Sequence, residues 1–226
     1  AIRNLIRPGQ KVVLSPYTIA DVVNMVVAAE GVPVFADIER ETCNVDPAEI
    51  EKLVDGDTGA VMITRLHGRA CDMDVSPRIC AERGVPLIED AAQAFGARFG
   101  GRPVGSFGDA AVFSFGKYKN VNAFLGGVLT TRRAEVAERL RAELAPWPLQ
   151  HLGGYLAEEG HGLATDIVTW PPLFRAFTFW VFRFAFLQEL SILNRQVSFD
   201  NDPELRDDLP EPYRRRLTPL QARLVL

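Results

Sequence analysis

Two short segments carry the residues best suited to chemistry. In the first, VPLIEDAAQAFGA (residues 85–97), an apolar run ends at Glu89 and Asp90, and Gln93 follows among small residues. A lone aspartate in this position is more often a helix cap than a catalytic group. A catalytic role requires a cationic partner, such as a protonated pyridine nitrogen. A pyridoxal phosphate (PLP) enzyme needs an acid beside that nitrogen so that the ring can accept electrons.

The second segment is GSFGDAAVFSFGKYKN, residues 105–120, in which Ser114 lies near the end of an apolar run and Lys117 and Lys119 follow in a polar turn. Two lysines in such a turn are usually only solvated. In a PLP enzyme, however, one lysine forms a Schiff base with the cofactor, and a nearby hydroxyl commonly binds its phosphate. Asp90 and Lys119 follow different apolar runs, so they could approach one flat ring from opposite sides. Each segment alone is a weak signal, but the pair in this order predicts a PLP site.

The elements that must position these residues recur regularly through the first two thirds of the chain. Apolar runs occur at 12–14, 32–35, 60–64, 85–88, 110–115 and 127–131, and helical patterns at about 18–29, 47–54, 74–83 and 133–144. The runs are continuous rather than alternating, which indicates strands buried on both faces of a mainly parallel, mixed sheet. We therefore expect an α/β fold of three layers, with ligands at the carboxyl ends of the strands.

The last third of the chain differs in composition. Residues 146–173 are rich in Pro, Gly and His and indicate an irregular insertion. Residues 174–187, FRAFTFWVFRFAFL, predict a helix that is apolar around its whole circumference and is therefore buried or docked. We favour a helix that packs against the rest of the protein or against a second subunit, and peripheral contact with a membrane is the alternative. Residues 198–216 are charged and contain prolines, so we expect a surface loop.

Composition limits the classes of function. The chain has 226 residues, of which 47% are hydrophobic and 24% charged, so it can bury a sizeable core. A net charge of −4 gives no electrostatic reason to expect nucleic acid as a partner. The three cysteines lie in unrelated contexts without CxxC spacing, which indicates neither a disulfide framework nor a metal site. A reduced, cytoplasmic compartment is the simplest interpretation.

The final residues predict the beginning of a helix, with Thr218 as N-cap, Pro219 at the first helical position and Gln221 completing a capping box. No stop signal follows, so we expect a chain truncated at both ends. The expected organisation is a cofactor-binding large-domain core at 1–145, an irregular and aromatic-rich helical insertion at 146–212, and a helix returning to the large domain at 213–226.

Together, these motifs resemble the large domain of the DegT/DnrJ/EryC1/StrS family, the sugar aminotransferases of the fold-type I PLP enzymes. The resemblance covers about 8–131 and reappears at 213–222. The segments that carry it are PGQKVVLSPYTIADVVNMVVAAEGVPVFADIE, the turn Cys71-Asp72-Met73-Asp74, LIEDAAQAFGA, GSFGDAAVFSFGKYKN with Gly126-Gly127, and RRRLTPLQA.

The resemblance implies roles for particular residues. Asp90 matches the acid that pairs with the pyridine nitrogen, and Lys119 matches the Schiff-base lysine. Gln93 matches the residue near the ring hydroxyl, and Ser114 matches a phosphate ligand. Lys117 receives no role.

Further matches concern the walls of the site. Thr18 and Asp21 match the turn that lines the cofactor and substrate cavity. Ile19 occupies the position where many members place an aromatic residue against the PLP ring. Gly126-Gly127 match a close-packed turn after the lysine.

Two further positions depart from the family pattern. Arg65 replaces the usual histidine after the third strand, with His67 two positions on. Arg214 replaces an asparagine that a neighbouring subunit offers to the phosphate, a role that an arginine can fill through charge-assisted hydrogen bonds.

By resemblance, the expected reaction is transfer of an amino group from an amino acid, with glutamate as the expected donor, to a keto group of a nucleotide-linked sugar. Cell-surface polysaccharide or secondary-metabolite synthesis and a homodimer with shared sites are also implied. Relatives that dehydrate or deoxygenate sugars replace the lysine with histidine, so Lys119 favours transfer. A catalytically degenerate scaffolding or regulatory homologue is the third hypothesis, which only Ile19 and Arg65 support.

Overall fold

The computed structural model of the protein describes residues 1–65, 74–116, 119–190 and 205–225. His67, the greater part of the Cys71–Asp74 turn and Lys117 lie outside the described residues. The chain divides into two compact units, one formed by Ala1–Gln150 with Leu205–Leu226 and the other by His151–Glu204.

The first unit alternates strands and helices. Its strands are β1 Lys11–Leu14, β2 Val32–Phe35, β3 Thr58–Thr64, β4 Leu87–Asp90, β5 Arg98–Phe99, β6 Arg102–Pro103, β7 Ala110–Ser114 and β8 Gly127–Thr131. Its helices are α1 Ala20–Ala28, α2 Pro47–Leu53, α3 Val75–Arg83, α4 Ala134–Leu144 and, after the second unit, α8 Pro219–Val225. Single 3-10 turns occur at Ile2–Asn4 and Glu211–Tyr213.

Six strands form one sheet in the order β2-β1-β3-β4-β7-β8, and β5 pairs with β6 in a separate antiparallel ribbon. The pairings from β2 through to β7 are parallel, whereas β8 runs antiparallel to β7. The predicted mainly parallel, mixed sheet is therefore confirmed. Because parallel strands share one direction, the carboxyl ends of β1, β3, β4 and β7 lie along the same edge.

Helices cover both faces of this sheet. On one face, Ile50 of α2 and Ile79 of α3 join a core with Val61 and Ile63 of β3. On the other, Val26 of α1 packs with the alternate residues of the same strands. The central strand β3 is buried at every position, which explains why its sequence is continuously apolar. The three-layer α/β fold is thus confirmed.

Local signals set the ends of two helices in the first unit. Asp46 caps α2, since its carboxylate accepts a hydrogen bond from the Ala48 N–H at 2.8 Å, and Pro47 occupies the first helical position. At the C-terminal end of α3, Gly84 takes the left-handed conformation with φ of 66°, which suits a glycine after a helix.

The second unit is helical over the residues described. It contains α5 Leu152–Thr169, α6 Pro171–Leu173, a π-helical turn Phe174–Thr178 and α7 Phe179–Leu187. The irregular structure predicted for 146–173 is therefore wrong over α5. Four glycines in this segment argued against a helix, but the apolar residues Leu156, Leu163 and Ile167 recur on one helical face.

The helix predicted over 174–187 is present as the π-helical turn followed by α7. Its aromatic side chains are largely exposed in the single chain, with Phe177 at 64%, Phe184 at 61% and Phe186 at 73% exposure. Within the part of the chain that the structure describes, no helix has both the length and the hydropathy needed to span a membrane. Of the loop predicted over 198–216, residues 205–216 are described, and they are largely exposed or half-buried.

Candidate active site

The carboxyl edge of the sheet gathers polar residues from three adjacent strands. Thr64 ends β3, Asp90 ends β4 and Ser114 ends β7. Thr64 pairs directly with Asp90, and Asp90 pairs with Val112, two residues before Ser114. The strand pairing therefore places these three side chains along one edge, where ligands bind in open α/β sheets.

Asp90 is half-buried, and withdrawal of its carboxyl group from water raises its pKa. The N–H of Ala92, which donates to Oδ1 at 3.1 Å, opposes this rise, as do the Thr64 hydroxyl and the charge of Lys119. The ionised form of Asp90 is thus under-stabilised in the protein alone. A cation held beside the carboxylate would lower the pKa again and stabilise the charged form.

Lys119 lies close enough to Asp90 for its charge to lower the pKa of that carboxyl group. The lysine is half-buried, and its N–H donates to the Gly116 carbonyl at 3.0 Å in the turn that follows β7. In the same turn, the half-buried Ser114 hydroxyl accepts a hydrogen bond from the Gly116 N–H at 3.3 Å. The structure therefore brings together Asp90 and Lys119, with Ser114 at the base of the lysine turn.

The turn after the lysine requires its two glycines. Gly126 has φ of 93°, and a Cβ there would lie 2.3 Å from Leu217 Cδ2. A Cβ on Gly127 would lie 2.3 Å from the carbonyl oxygen of Phe113 in the neighbouring strand. The second contact is with backbone, which cannot swing aside as a side chain can, so a side chain at Gly127 would force the strands β7 and β8 apart.

The remaining predicted residues of the first unit surround this edge. Gln93 is half-buried in the segment after β4. Thr18 is half-buried in the turn between β1 and α1, and Ile19 beside it is 67% exposed. The exposed Ile19 side chain offers an apolar face that the protein itself does not cover.

The segment with Arg214 returns to the beginning of α1. The Tyr213 hydroxyl donates to Asp21 Oδ2 at 2.9 Å, and this bond raises the pKa of Tyr213. Arg214 is exposed, and its Nε donates to the carbonyl of Leu209 at 3.1 Å. Its predicted role in the site of a second subunit stays a prediction.

A buried ion pair next to Asp90 was not predicted. Arg65 and Glu89 have fully buried side chains, and Arg65 Nη2 lies 3.2 Å from Glu89 Oε2. Three backbone N–H groups also donate to the Glu89 carboxylate, from Gly105 at 2.9 Å and from Phe107 and Gly108 at 2.7 Å each. Arg65, directly after β3, is thus a structural cation paired with Glu89 of β4, and the Glu89 carboxylate in turn holds the 105–108 turn. A glutamate within a buried strand was the available signal, because such a charge requires a buried partner.

The sequence profile of the DegT/DnrJ/EryC1/StrS aminotransferase family matches residues 3–153. The spore coat polysaccharide biosynthesis protein SpsC of Bacillus subtilis (strain 168) is 39% identical over 136 residues, which cover 60% of this chain and 35% of that protein. GDP-perosamine synthase of Vibrio cholerae is 36% identical over 126 residues, covering 56% of this chain and 34% of the synthase.

Among solved structures, DesI in the presence of its TDP-sugar product matches with a TM-score of 0.60 and 38% identity. The match covers 64% of this chain and 37% of DesI. The chain spans about a third of the length of the curated relatives it matches.

Proposed function

Because the chain belongs to the DegT/DnrJ/EryC1/StrS aminotransferase family, we propose that it forms the cofactor-binding part of a PLP-dependent sugar aminotransferase. The proposed reaction moves an amino group from glutamate to a keto group of a nucleotide-linked sugar. The observation that carries the proposal is the convergence of Asp90 and Lys119 at the carboxyl edge of the sheet. Relatives named for spore coat polysaccharide and for GDP-perosamine support a place in surface polysaccharide synthesis, with secondary metabolism as the alternative pathway.

The residues of the site fit PLP by their chemistry. The site offers a half-buried carboxylate that needs a cation, an amine near it and a hydroxyl at the base of the amine's turn. When bound, PLP supplies an electron sink for the carbon that loses its proton. The residues proposed to hold it are Asp90 at the ring nitrogen, Gln93 near the ring hydroxyl, Ser114 at the phosphate, Thr18 and Ile19 beside the ring, Lys119 at the aldehyde carbon, and Arg214 at the phosphate in a second subunit.

Proton transfer is the task of two residues of this chain. In its ionised form, Asp90 holds the proton on the ring nitrogen. Lys119 would carry the proton at Nζ: as a general base it would take the proton from the donor α-carbon, and as a general acid it would deliver it to the carbon that was the aldehyde carbon of PLP. Asp90 is the last residue of β4, so strand pairing holds its backbone, and Lys119 lies in the turn that follows the buried strand β7.

Substitution of the lysine tests this proposal. In the complete enzyme, Lys119→Ala abolishes the visible absorbance of the lysine-bound cofactor and abolishes transamination. The matched control is Lys52→Ala, because Lys52 is an exposed lysine of α2 paired with Glu49. Retention of both signals in the Lys119 variant would contradict the assignment.

Two other functions are separated from transfer by simple assays. A sugar dehydratase or deoxygenase would act without an amino donor, and retention of Lys119 favours transfer over that chemistry. A degenerate scaffolding homologue would bind no PLP, and the absorbance of the complete protein with PLP identifies it. Arg65 gives the scaffolding hypothesis little support, because that residue is the partner of Glu89 in the core.

We propose that the complete protein is a cytoplasmic homodimer with shared sites. The expected role of Arg214 supports this assembly, because the family places that residue on the phosphate of a neighbouring subunit. Light scattering of the complete protein measures the mass, and an Arg214→Ala subunit mixed with a Lys119→Ala subunit tests sharing. Recovery of activity on mixing supports shared sites, whereas a monomeric mass opposes them.

The exposed aromatic side chains of 174–187 are proposed to bind a second subunit or, alternatively, a membrane surface. The segment contains Arg175 and Arg183 but no carboxylate, which suits anionic lipid headgroups. Liposome flotation of the complete protein is compared with the triple variant Phe177→Ser, Phe184→Ser, Phe186→Ser. If the wild-type protein floats with liposomes and the triple variant does not, membrane binding is supported. If the wild-type protein does not float, contact with a second subunit is the better explanation.

A further inference from the structure

The side chain of Gln221 connects the beginning of α8 to the turn that carries Lys119. Gln221 is fully buried. Its Oε1 accepts hydrogen bonds from the Thr218 N–H at 3.0 Å and the Thr218 hydroxyl at 3.1 Å. Its Nε2 donates to the carbonyls of Ala123 at 3.2 Å and Leu125 at 3.5 Å. One end of the amide thus completes the helix cap, and the other end holds the lysine turn.

The two ends of the amide have separable tasks. The predicted capping box needs only Oε1 and the reciprocal bond from the Gln221 N–H to the Thr218 hydroxyl, at 3.2 Å. The Nε2 donors contribute nothing to that cap. Their partners, 98 and 96 residues away in sequence, belong to the turn of residues 119–127.

That turn has an unusual backbone conformation. Phe124 lies in the left-handed region with φ of 64°, and its N–H is bound by the Asn122 side chain at 2.7 Å. Such a conformation persists in a non-glycine residue only when its surroundings determine it. Ala123, on one side of Phe124, is fully buried in the cluster that Leu217 and Val225 also contact. The 217–225 segment therefore supports the turn through packing as well as through Gln221.

We propose that Gln221 is a positioning residue for Lys119, because it fixes the carbonyls of Ala123 and Leu125 and thereby sets where the turn holds the lysine amine. This inference rests on the proposed role of Lys119. A buried amide with both donors on one turn restricts that turn more than apolar packing would, since hydrogen bonds are directional. Misplacement of a reacting group by about 1 Å can reduce the rate about 100-fold.

Two variants of the complete enzyme separate positioning from capping. Gln221→Glu keeps an acceptor for Thr218 but removes both donors and places carboxylate oxygen against the turn carbonyls. Thr218→Val removes the hydroxyl from the cap but leaves the Gln221 donors and the Thr218 N–H bond in place. We expect Gln221→Glu to lower kcat about 10- to 100-fold with KM for the donor changed less than about 2-fold. We expect Thr218→Val to lower Tm while kcat stays within about 2-fold of wild type.

A second measurement does not require the cofactor-loaded enzyme. Reductive methylation of the cofactor-free protein, quantified by peptide mass spectrometry, reports the reactivity of Lys119. The rate at Lys119 should change in Gln221→Glu and stay unchanged in Thr218→Val, while the rate at Lys52 serves as an internal reference. If Gln221→Glu does not fold, Gln221→Met, which removes the donors and the Oε1 acceptor without adding a charge, is measured in its place, and Thr218→Val then shows how much of its effect comes from a weakened cap.

The outcomes distinguish the two proposals. If both variants lower Tm alike while kcat and Lys119 methylation stay at wild-type values, Gln221 is only a helix cap and the inference is overturned. If wild-type protein shows no cofactor bound through Lys119, the aminotransferase proposal fails instead. A bound cofactor with a Gln221→Glu defect in kcat and in Lys119 methylation supports both.

Discussion

The buried pair of Arg65 and Glu89 should be among the most sensitive points of the first unit. Glu89→Gln replaces one carboxylate oxygen with an NH₂ group that cannot accept hydrogen bonds. On either oxygen, the new NH₂ group would face an N–H donor or the Arg65 guanidinium, because the four donors to Glu89 among the described residues lie within 3.2 Å of it. The variant also leaves the positive charge of Arg65 buried without its counter-charge.

The expected loss of unfolding free energy is about 3–5 kcal/mol, the usual cost of breaking a buried ion pair. A matched control makes the same chemical change on the surface. Glu82 pairs with Arg78 at 3.7 Å, with both side chains more than 60% exposed. Glu82→Gln should therefore cost no more than about 0.5 kcal/mol. Urea unfolding of the complete protein, followed by far-UV circular dichroism, measures both variants. Equal unfolding midpoints for Glu89→Gln and Glu82→Gln would refute the role given to the pair.

Two further predictions concern the site. Gly127→Ala should destabilise the protein by more than about 2 kcal/mol and prevent cofactor binding, because the added Cβ meets the Phe113 carbonyl at 2.3 Å. Gly160→Ala in the middle of α5, where a Cβ meets nothing within 4 Å, should instead raise the free energy of unfolding by about 0.5–1 kcal/mol, and thermal unfolding compares the two variants. Burial raises the pKa of Asp90, so the cofactor-free fold is weakened as pH rises above the ordinary carboxyl pKa of 3.8. Asp90→Asn should therefore raise Tm of the cofactor-free protein at neutral pH, with the gain vanishing below about pH 4, and an unchanged Tm at pH 7 would contradict this.

Much of the first unit could be predicted because its inner strands β1, β3, β4 and β7 are largely buried. Continuous apolar runs such as that of β3 leave little ambiguity when a helix signal follows each of them. The helix α5 was missed for a local reason, since its glycines lower helix propensity while its apolar spacing is helical. Exposure of the aromatic side chains in 174–187 could not be derived either, because composition alone does not say whether an apolar helix is covered within its own chain.

The sequence predicted the site residues that lie at or directly after the ends of strands. It did not predict the side-chain contacts between residues that are far apart in the sequence. Asp90 and Ser114 were predicted at the ends of different strands, and the structure adds that these strands, β4 and β7, are neighbours in the sheet. The partnership of Arg65 with Glu89, and that of Gln221 with the lysine turn, depend on contacts between distant parts of the sequence. The capping box predicted the bonds between Gln221 and Thr218, because it is a local motif. The structure adds the bonds from Gln221 to the carbonyls of Ala123 and Leu125.

Amino transfer by this protein can be followed through the absorbance of the complete, PLP-loaded protein during successive additions of glutamate and of a nucleotide-linked keto sugar. We expect glutamate to remove the visible band of the lysine-bound cofactor and the keto sugar to restore it, as a two-step amino transfer requires. The Lys119→Ala variant should show neither change. If the band does not change with glutamate but changes with the sugar alone, the aminotransferase proposal is contradicted, and dehydration or another reaction is indicated.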